Sequence, residues 1–151
     1  MILQTLKTIF KRDLNRLKQE IELYQNESQI WTIQKGITNS AGNLCLHVVG
    51  NLNTYIGATF GNTNYTRNRE LEFSLKDIPK MELIRKIEET SIVVDRSLDK
   101  LTEKELLMEF PLLVFETTTS TEFMLIHLTT HLTYHLGQIN YHRRLLEESS
   151  Q

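Results

Sequence analysis

The sequence contains few of the residues that cross-link chains or interrupt helices. Among 151 residues there are one cysteine, two prolines and six glycines. The single cysteine, Cys45, excludes an internal disulfide, and so few prolines and glycines leave room for long helices. No uninterrupted apolar run approaches the roughly 20 residues that are needed to cross a bilayer. We therefore expect a helical protein that does not insert into a membrane.

The chain also lacks an excess of either basic or acidic residues. The chain has 17 basic and 19 acidic residues, a net charge of -2 and a pI near 6.2. A basic stripe for phosphate contacts is absent, so nucleic acid is not an expected partner. The N-terminal segment mixes charges into its apolar pattern too early for a secretory signal, which favours the cytoplasm. The length suits one domain over residues 1–151.

Apolar residues recur at steps of three and four in four segments, which predicts four amphipathic helices. The predicted helices cover residues 2–25, 40–60, 79–102 and 120–147. Between the second and third helices, residues 61–73 are polar and patterned for neither helix nor strand, which predicts a long connection. Residues 110–119 are interpreted as a short extended stretch. Four long helices in one small domain predict an all-α protein with a four-helix bundle.

Two helix starts carry capping residues. Asn39 or Ser40 is placed to cap the second helix by accepting a hydrogen bond from a free backbone N–H. Thr119 and Glu122 have the spacing of a capping box, which predicts that the fourth helix begins near Ser120.

Histidine is concentrated in the last helix. Four of the five histidines lie within sixteen residues, at His127, His131, His135 and His142. A step of four residues turns a helix by only 40° beyond a full circle, so the first three histidines form one row, which Gln138 continues. This row borders a stripe of leucines, so we expect it at the edge of the interior, where each imidazole needs a partner.

Two histidines four residues apart are able to share one metal ion, and the third ligand would come from the remaining histidine, His47, on the second helix. The alternative is a core histidine bonded to a carbonyl group. A zincin site is excluded because His131 is followed by Leu132 instead of the required Glu. A di-iron bundle lacks its carboxylates, since Glu122 is the only acid on the last helix before Glu147.

Three motifs in order resemble the DinB/YfiT superfamily. "HLTTHLTYHLGQIN" is similar to its last-helix motif, "TNSAGNLCLHVVGNLNTYI" to its second-helix motif, and "TRNRELEF" to the connection in one branch. The resemblance implies a four-helix bundle of DinB/YfiT type with a divalent ion held by His47, His131 and His135. With these three ligands assigned, His127 is expected to form a hydrogen bond in the pocket wall or to contact solvent, and His142 is expected at the surface.

Three neutral imidazoles would leave an ion its full charge and an open position, as in catalytic sites. Zn²⁺ or Ni²⁺ suits such ligands, with Fe²⁺ as a further candidate. Relatives in the superfamily imply a thiol S-transferase or hydrolase that takes a small-molecule substrate and a low-molecular-weight thiol. The alternative is a non-catalytic metal-binding bundle with a structural, sensing or partner-binding role. No catalytic residue is assigned, although Tyr134, Asn51 and Asn53 are polar candidates nearby.

The resemblance further implies a homodimer, for which the apolar row of the first helix is one candidate face. Gly137 costs about 1 kcal/mol inside a helix, which suggests close approach of another helix or chain. Gln138 is placed to orient the imidazole of His135. Cys45 is interpreted as a small packing residue.

Overall fold

The computed structural model describes residues 1–149, and all regular elements in this range are helical. They are α1 (Ile2–Leu23), a 3₁₀-helix (Glu27–Trp31), α2 (Ala41–Leu52), a π-helix (Asn53–Ala58), α3 (Arg69–Ser74), α4 (Lys80–Leu98), α5 (Glu103–Leu106) and α6 (Thr121–Ser149). The four predicted helices are α1, α2 with its π-helical continuation, α4 and α6. Among these helices, none has the length and apolar character that crossing a bilayer requires.

The four long helices surround one core. Helix α1 packs against α4 and α6, and α2 packs against the same two helices. The apolar row of α1 points into this core, with Leu6, Phe10, Leu14, Leu17 and Ile21 all buried. The chain itself covers this row, so α1 does not offer it as a dimer face.

A buried carboxylate joins α1 to α6. The side chain of Asp13 has no exposed surface. It accepts hydrogen bonds from Arg12 Nε at 2.7 Å and from Thr133 Oγ1 on α6 at 2.7 Å, and Arg16 lies 3.4 Å away. Burying a charge is costly unless it is paired, so the two arginines and the hydroxyl make this position possible. The contact sets how α1 lies against the histidine-bearing helix.

The helix starts agree only in part with the predicted caps. Ser40 caps α2, as one of the two predicted candidates, by accepting from the N–H of Asn43. At α6 the predicted Thr119–Glu122 box is wrong, because Ser120 Oγ accepts from the N–H of Phe123 and is the capping group.

The backbone explains why Thr119 is not the cap of α6. Its carbonyl accepts from the N–H of Phe110, within the bridge between Glu109 and Ser120. A capping box is present at the start of α5, between Thr102 and Glu105.

Residues 61–73, between α2 and α4, were predicted to contain no helix. This prediction is wrong, because α3 lies in this connection. Asn68 accepts from the N–H of Leu71 and begins the short helix α3. The side-chain amide of Asn43 on α2 donates to the carbonyls of Glu72 and Leu75 at 3.0 and 2.8 Å. Six helical residues are too few to be stable alone, so these contacts with α2 hold α3 in place. In the other segment, residues 110–119 contain no strand.

Candidate metal centre

His47 lies on α2, a helix that is buried along its whole length. Every residue from Ala41 to Leu52 is buried, because α2 is covered by α3, α4 and α6. At its start, Trp31 lies so close to Gly42 that a Cβ there would overlap the indole ring. His47 is 8% exposed and faces α6. A buried imidazole in this position needs partners for both ring nitrogens.

Helix α6 supplies two more imidazoles at the edge of the core. His131 and His135 are half-buried, while Leu128, Leu132, Leu136 and Ile139 beside them are buried. The predicted arrangement of a histidine row next to a leucine stripe is therefore confirmed.

The three histidines converge on one point through their Nε2 atoms. Nε2 of His131 lies 3.2 Å from Nε2 of His47 and 3.1 Å from Nε2 of His135. One ligand atom from each of the three residues lies within 4.8 Å of the others. Two nitrogens bound tetrahedrally to one ion at 2.0–2.1 Å would be about 3.3 Å apart, so the observed separations fit shared coordination.

Outer hydrogen bonds leave two of these Nε2 atoms free to act as ligands. Nδ1 of His47 lies 3.0 Å from Oε1 of Glu72, and Nδ1 of His135 lies 2.7 Å from Oε1 of Gln138. Because a carboxylate only accepts, Nδ1 of His47 carries the proton and its Nε2 presents a lone pair. Gln138 orients His135 in the predicted way. Nδ1 of His131 is buried without a hydrogen-bond partner.

Glu72 is a residue of the candidate site that the sequence did not predict. It lies on α3 and is 5% exposed. Its carboxylate accepts hydrogen bonds from Nε and Nη2 of Arg67 at 2.8 and 2.9 Å. Its Oε2 atom lies against Gly50, where a Cβ would overlap it. An acid in a polar connection usually faces solvent, so its sequence context gave no signal. Only the α2–α3 contact makes it a partner of His47.

The surroundings favour the neutral form of His131 and His135 and the charged form of Glu72. Burial, followed by the charges of His135 and His47, lowers the pKa of His131 to about 4. Burial also lowers the pKa of His135, with the hydrogen bond to Gln138 acting in the opposite direction. For Glu72, burial alone would raise the pKa, but hydrogen bonds from His47 and Arg67 outweigh it and lower the pKa. Arg67 balances the charge of Glu72, so an ion bound here would keep most of its own.

His127 and His142 lie outside the cluster. The ring of His127 packs edge-on against Phe115, with centroids 4.9 Å apart, and its centroid is 6.2 Å from that of His131. The expectation that His142 is a surface residue is wrong. Its Nδ1 lies 2.6 Å from the hydroxyl of Tyr24, and its Nε2 lies 2.8 Å from the carbonyl of Thr32. It joins α6 to the end of α1 and to the segment after the 3₁₀-helix.

The remaining polar candidates differ in their surroundings. Asn53 donates to the carbonyl of Val49 and to Thr90 Oγ1, which is a structural role. Tyr134 is 64% exposed, with its ring 5.4 Å from that of His135. Asn51, one helical turn after His47, is buried and its Oδ1 has no partner. This atom is a buried hydrogen-bond acceptor without a partner in the described structure. Cys45 is fully buried, and burial raises its pKa to about 12, so it is a packing residue and not a thiolate.

Comparison with protein families matches this chain, over residues 2–151, to a family described as a protein of unknown function, DUF1572. No curated protein matches the chain.

Proposed function

The chain belongs to the DUF1572 family, and from the geometry of its site we propose that it binds one divalent metal ion through His47, His131 and His135 and uses it in catalysis. The observation that carries this proposal is that Nε2 of His131 lies 3.2 Å from Nε2 of His47 and 3.1 Å from Nε2 of His135, separations that match two ligands of one tetrahedral ion. Neutral imidazoles suit Zn²⁺ or Ni²⁺ best, with Fe²⁺ as a third candidate. In this reading the fold is a four-helix bundle of DinB/YfiT type.

Three protein ligands are typical of catalytic centres, because they leave a position for water or substrate. A divalent ion held in this way supplies Lewis acidity, which lowers the pKa of water or of a thiol. The chain's own contribution is orientation: Glu72 holds His47, and Gln138 holds His135. Asn51 adds a buried acceptor one turn from His47. We therefore propose a thiol S-transferase or hydrolase that acts on a small molecule, with a low-molecular-weight thiol as its cosubstrate in the first case.

Metal analysis of the purified protein tests the binding step. We expect about one equivalent of ion per chain after loading with Zn²⁺ or Ni²⁺. His47→Gln, His131→Gln and His135→Gln should each lose it. His127→Gln is the matched control, since His127 lies on the same helix outside the cluster, and it should retain the ion. Equal retention by the wild-type protein and all four variants would disprove the site.

The second step is tested by turnover. The loaded protein is given a low-molecular-weight thiol with a chromogenic aryl halide, and separately a nitrophenyl ester. Product formation that requires both the ion and His47 supports an enzyme. An ion that binds tightly while neither substrate is turned over favours the second candidate, a metal-binding bundle with a structural, sensing or partner-binding role.

A homodimer is a further part of the proposal. With the apolar row of α1 buried, other exposed apolar side chains remain before α6 and at its start, where Leu107, Leu113 and Phe123 are 75%, 68% and 53% exposed. A Cβ at Gly137, farther along α6, would have no neighbouring part of the described chain within 4 Å. Close approach of another helix of this chain is therefore not the reason for a glycine at this position. We expect Phe123→Glu to shift the mass in sedimentation toward the monomer, and Ile92→Glu on α4, also exposed, to leave it unchanged.

A further inference from the structure

A cavity of about 470 Å³ adjoins the histidine cluster on one side. Its walls are residues 34–39, the start of α2 and the part of α6 from His135 to Leu145. This volume is within the range of small-molecule sites, about 300–1,000 Å³. Because His135 and Gln138 form part of the wall, a molecule in the cavity would touch one of the three clustered imidazoles and the amide that orients it.

Most of the wall surface is apolar, although seven of the twelve lining residues have polar side chains. Ile37, Leu44 and Leu145 supply aliphatic surface, and Tyr141 an aromatic ring. Ile37, Tyr141 and Leu145 are between 42% and 65% exposed, so their apolar surface is accessible from solvent. An apolar concave surface with a small number of polar groups is typical of ligand sites.

The charge of the walls has one sign. Lys35 is the one charged residue among the twelve that line the cavity, and no aspartate or glutamate is among them. The three clustered histidines add no negative charge. A cation would therefore meet no acidic partner in the cavity, whereas an anion would meet an ammonium group.

The backbone presents Lys35 and Ile37 together at the cavity. The N–H of Ile37 donates to the carbonyl of Gln34 at 3.2 Å, which closes a turn. Gly36 in this turn has φ of +93°, a conformation that other residues adopt only with strain. The turn therefore places Lys35 and Ile37, both in the cavity wall, directly before and after Gly36, the residue whose positive φ favours glycine.

We propose that this cavity binds a small organic anion with an apolar chain. The chain packs against Ile37, Leu44 and Leu145, and the anionic group pairs with Lys35. That such a molecule is the substrate of the neighbouring centre rests on the function proposed above. Binding itself does not, since none of the groups that make these contacts requires an ion.

Calorimetric titration with linear fatty acids tests the proposal on the full chain, both metal-free and loaded with Zn²⁺. Hexanoate, heptanoate and octanoate are the probes. We expect saturable binding in both states, with affinity rising about threefold to fourfold for each methylene, since a buried methylene contributes about 0.8 kcal/mol. Octanamide, which lacks the charge, should bind more weakly than octanoate.

Two pairs of variants locate the probe. Ile37→Ser should weaken octanoate binding, whereas Ile33→Ser should not, because Ile33 is exposed nearby but outside the cavity wall. Lys35→Gln should weaken octanoate by about twofold to fivefold, as for an exposed ion pair, and leave octanamide unchanged. Lys104→Gln, an exposed lysine on α5, is the matched control for charge.

The outcomes separate this inference from the proposed function. Octanoate binding that depends on Ile37 and Lys35 in a protein that retains no ion would support the cavity and disprove the metal centre. An ion that binds while octanoate fails to bind in either state would overturn the cavity proposal alone. Equal affinity for octanoate and octanamide would overturn the assignment of an anion.

Discussion

Glu72 reaches Nδ1 of His47 at 3.0 Å by lying directly over Gly50, where any Cβ would overlap its Oε2 atom. The three residues belong to two helices, α2 and α3, and Arg67 donates one hydrogen bond to each oxygen of the carboxylate. A carboxylate on the outer nitrogen of a ligand histidine fixes the tautomer and raises the basicity of the other nitrogen. This relationship yields the first two predictions.

Glu72→Gln removes the negative charge from Nδ1 of His47 while keeping the size of the side chain. We expect affinity for Zn²⁺ to fall about 10-fold to 100-fold, measured by competition with a chromophoric chelator. Glu70→Gln is the matched control, since Glu70 is an exposed acid on the same short helix. Equal Zn²⁺ affinities for the two variants would show that Glu72 only holds α3 in place.

Gly50→Ala places a methyl group where Glu72 Oε2 now lies. The carboxylate must withdraw, so Zn²⁺ affinity should fall toward that of Glu72→Gln. Gly137→Ala on α6 is the control because a Cβ there meets nothing within 4 Å. It should leave Zn²⁺ affinity unchanged and raise the free energy of unfolding by about 0.5–1 kcal/mol, as measured by urea denaturation. An unaltered affinity in Gly50→Ala would contradict the packing described for Glu72.

Asp13 should make the stability of the chain depend on pH in acid. Burial alone would raise its pKa, but hydrogen bonds from Arg12 and Thr133 and the charges of Arg12 and Arg16 outweigh burial and lower it. The folded state then binds fewer protons than the unfolded state. The contribution of Asp13 is complete above the unfolded pKa of about 3.9 and is lost as pH falls through the lower folded pKa.

Asp13→Asn should therefore reduce the free energy of unfolding near neutral pH and make its decline below about pH 4 shallower than in the wild type. The measurement is a series of urea midpoints across acidic pH. Asp77→Asn, at an exposed position, should give a curve parallel to the wild type. A parallel curve for Asp13→Asn as well would mean that its carboxylate is not stabilised by folding.

Tyr24→Phe removes the donor to Nδ1 of His142. Because Nε2 of His142 lies 2.8 Å from the carbonyl of Thr32, Nε2 carries the proton and Nδ1 must accept. Leaving that acceptor without a partner should lower the free energy of unfolding by about 1–2 kcal/mol in urea denaturation. Tyr134→Phe, on exposed α6 surface, should change it by much less. If both substitutions cost the same, His142 does not depend on Tyr24.

Much of the secondary structure could be predicted because apolar spacing is a local property. The steps of three and four placed α1, α4 and α6 within a few residues of their observed ends. The prediction for the connection between α2 and α4 was wrong for a physical reason. Helix α3 is too short to form by itself, and it is held in place because Asn43 on α2 donates hydrogen bonds to the carbonyls of Glu72 and Leu75. The predicted cap at Thr119 failed similarly, since its carbonyl pairs with Phe110 across a loop.

The sequence by itself determined that His131 and His135 share a helix face, because the geometry of an α-helix leaves residues four apart no other arrangement. It also determined that this face borders a leucine stripe. The sequence suggested His47 as the third member by elimination and resemblance. Only the tertiary structure decided that His47 does meet them, that Glu72 and Arg67 hold His47, and that His142 faces inward. Those contacts join residues far apart in the chain, and which of them form depends on how whole helices pack, a property that no local spacing encodes.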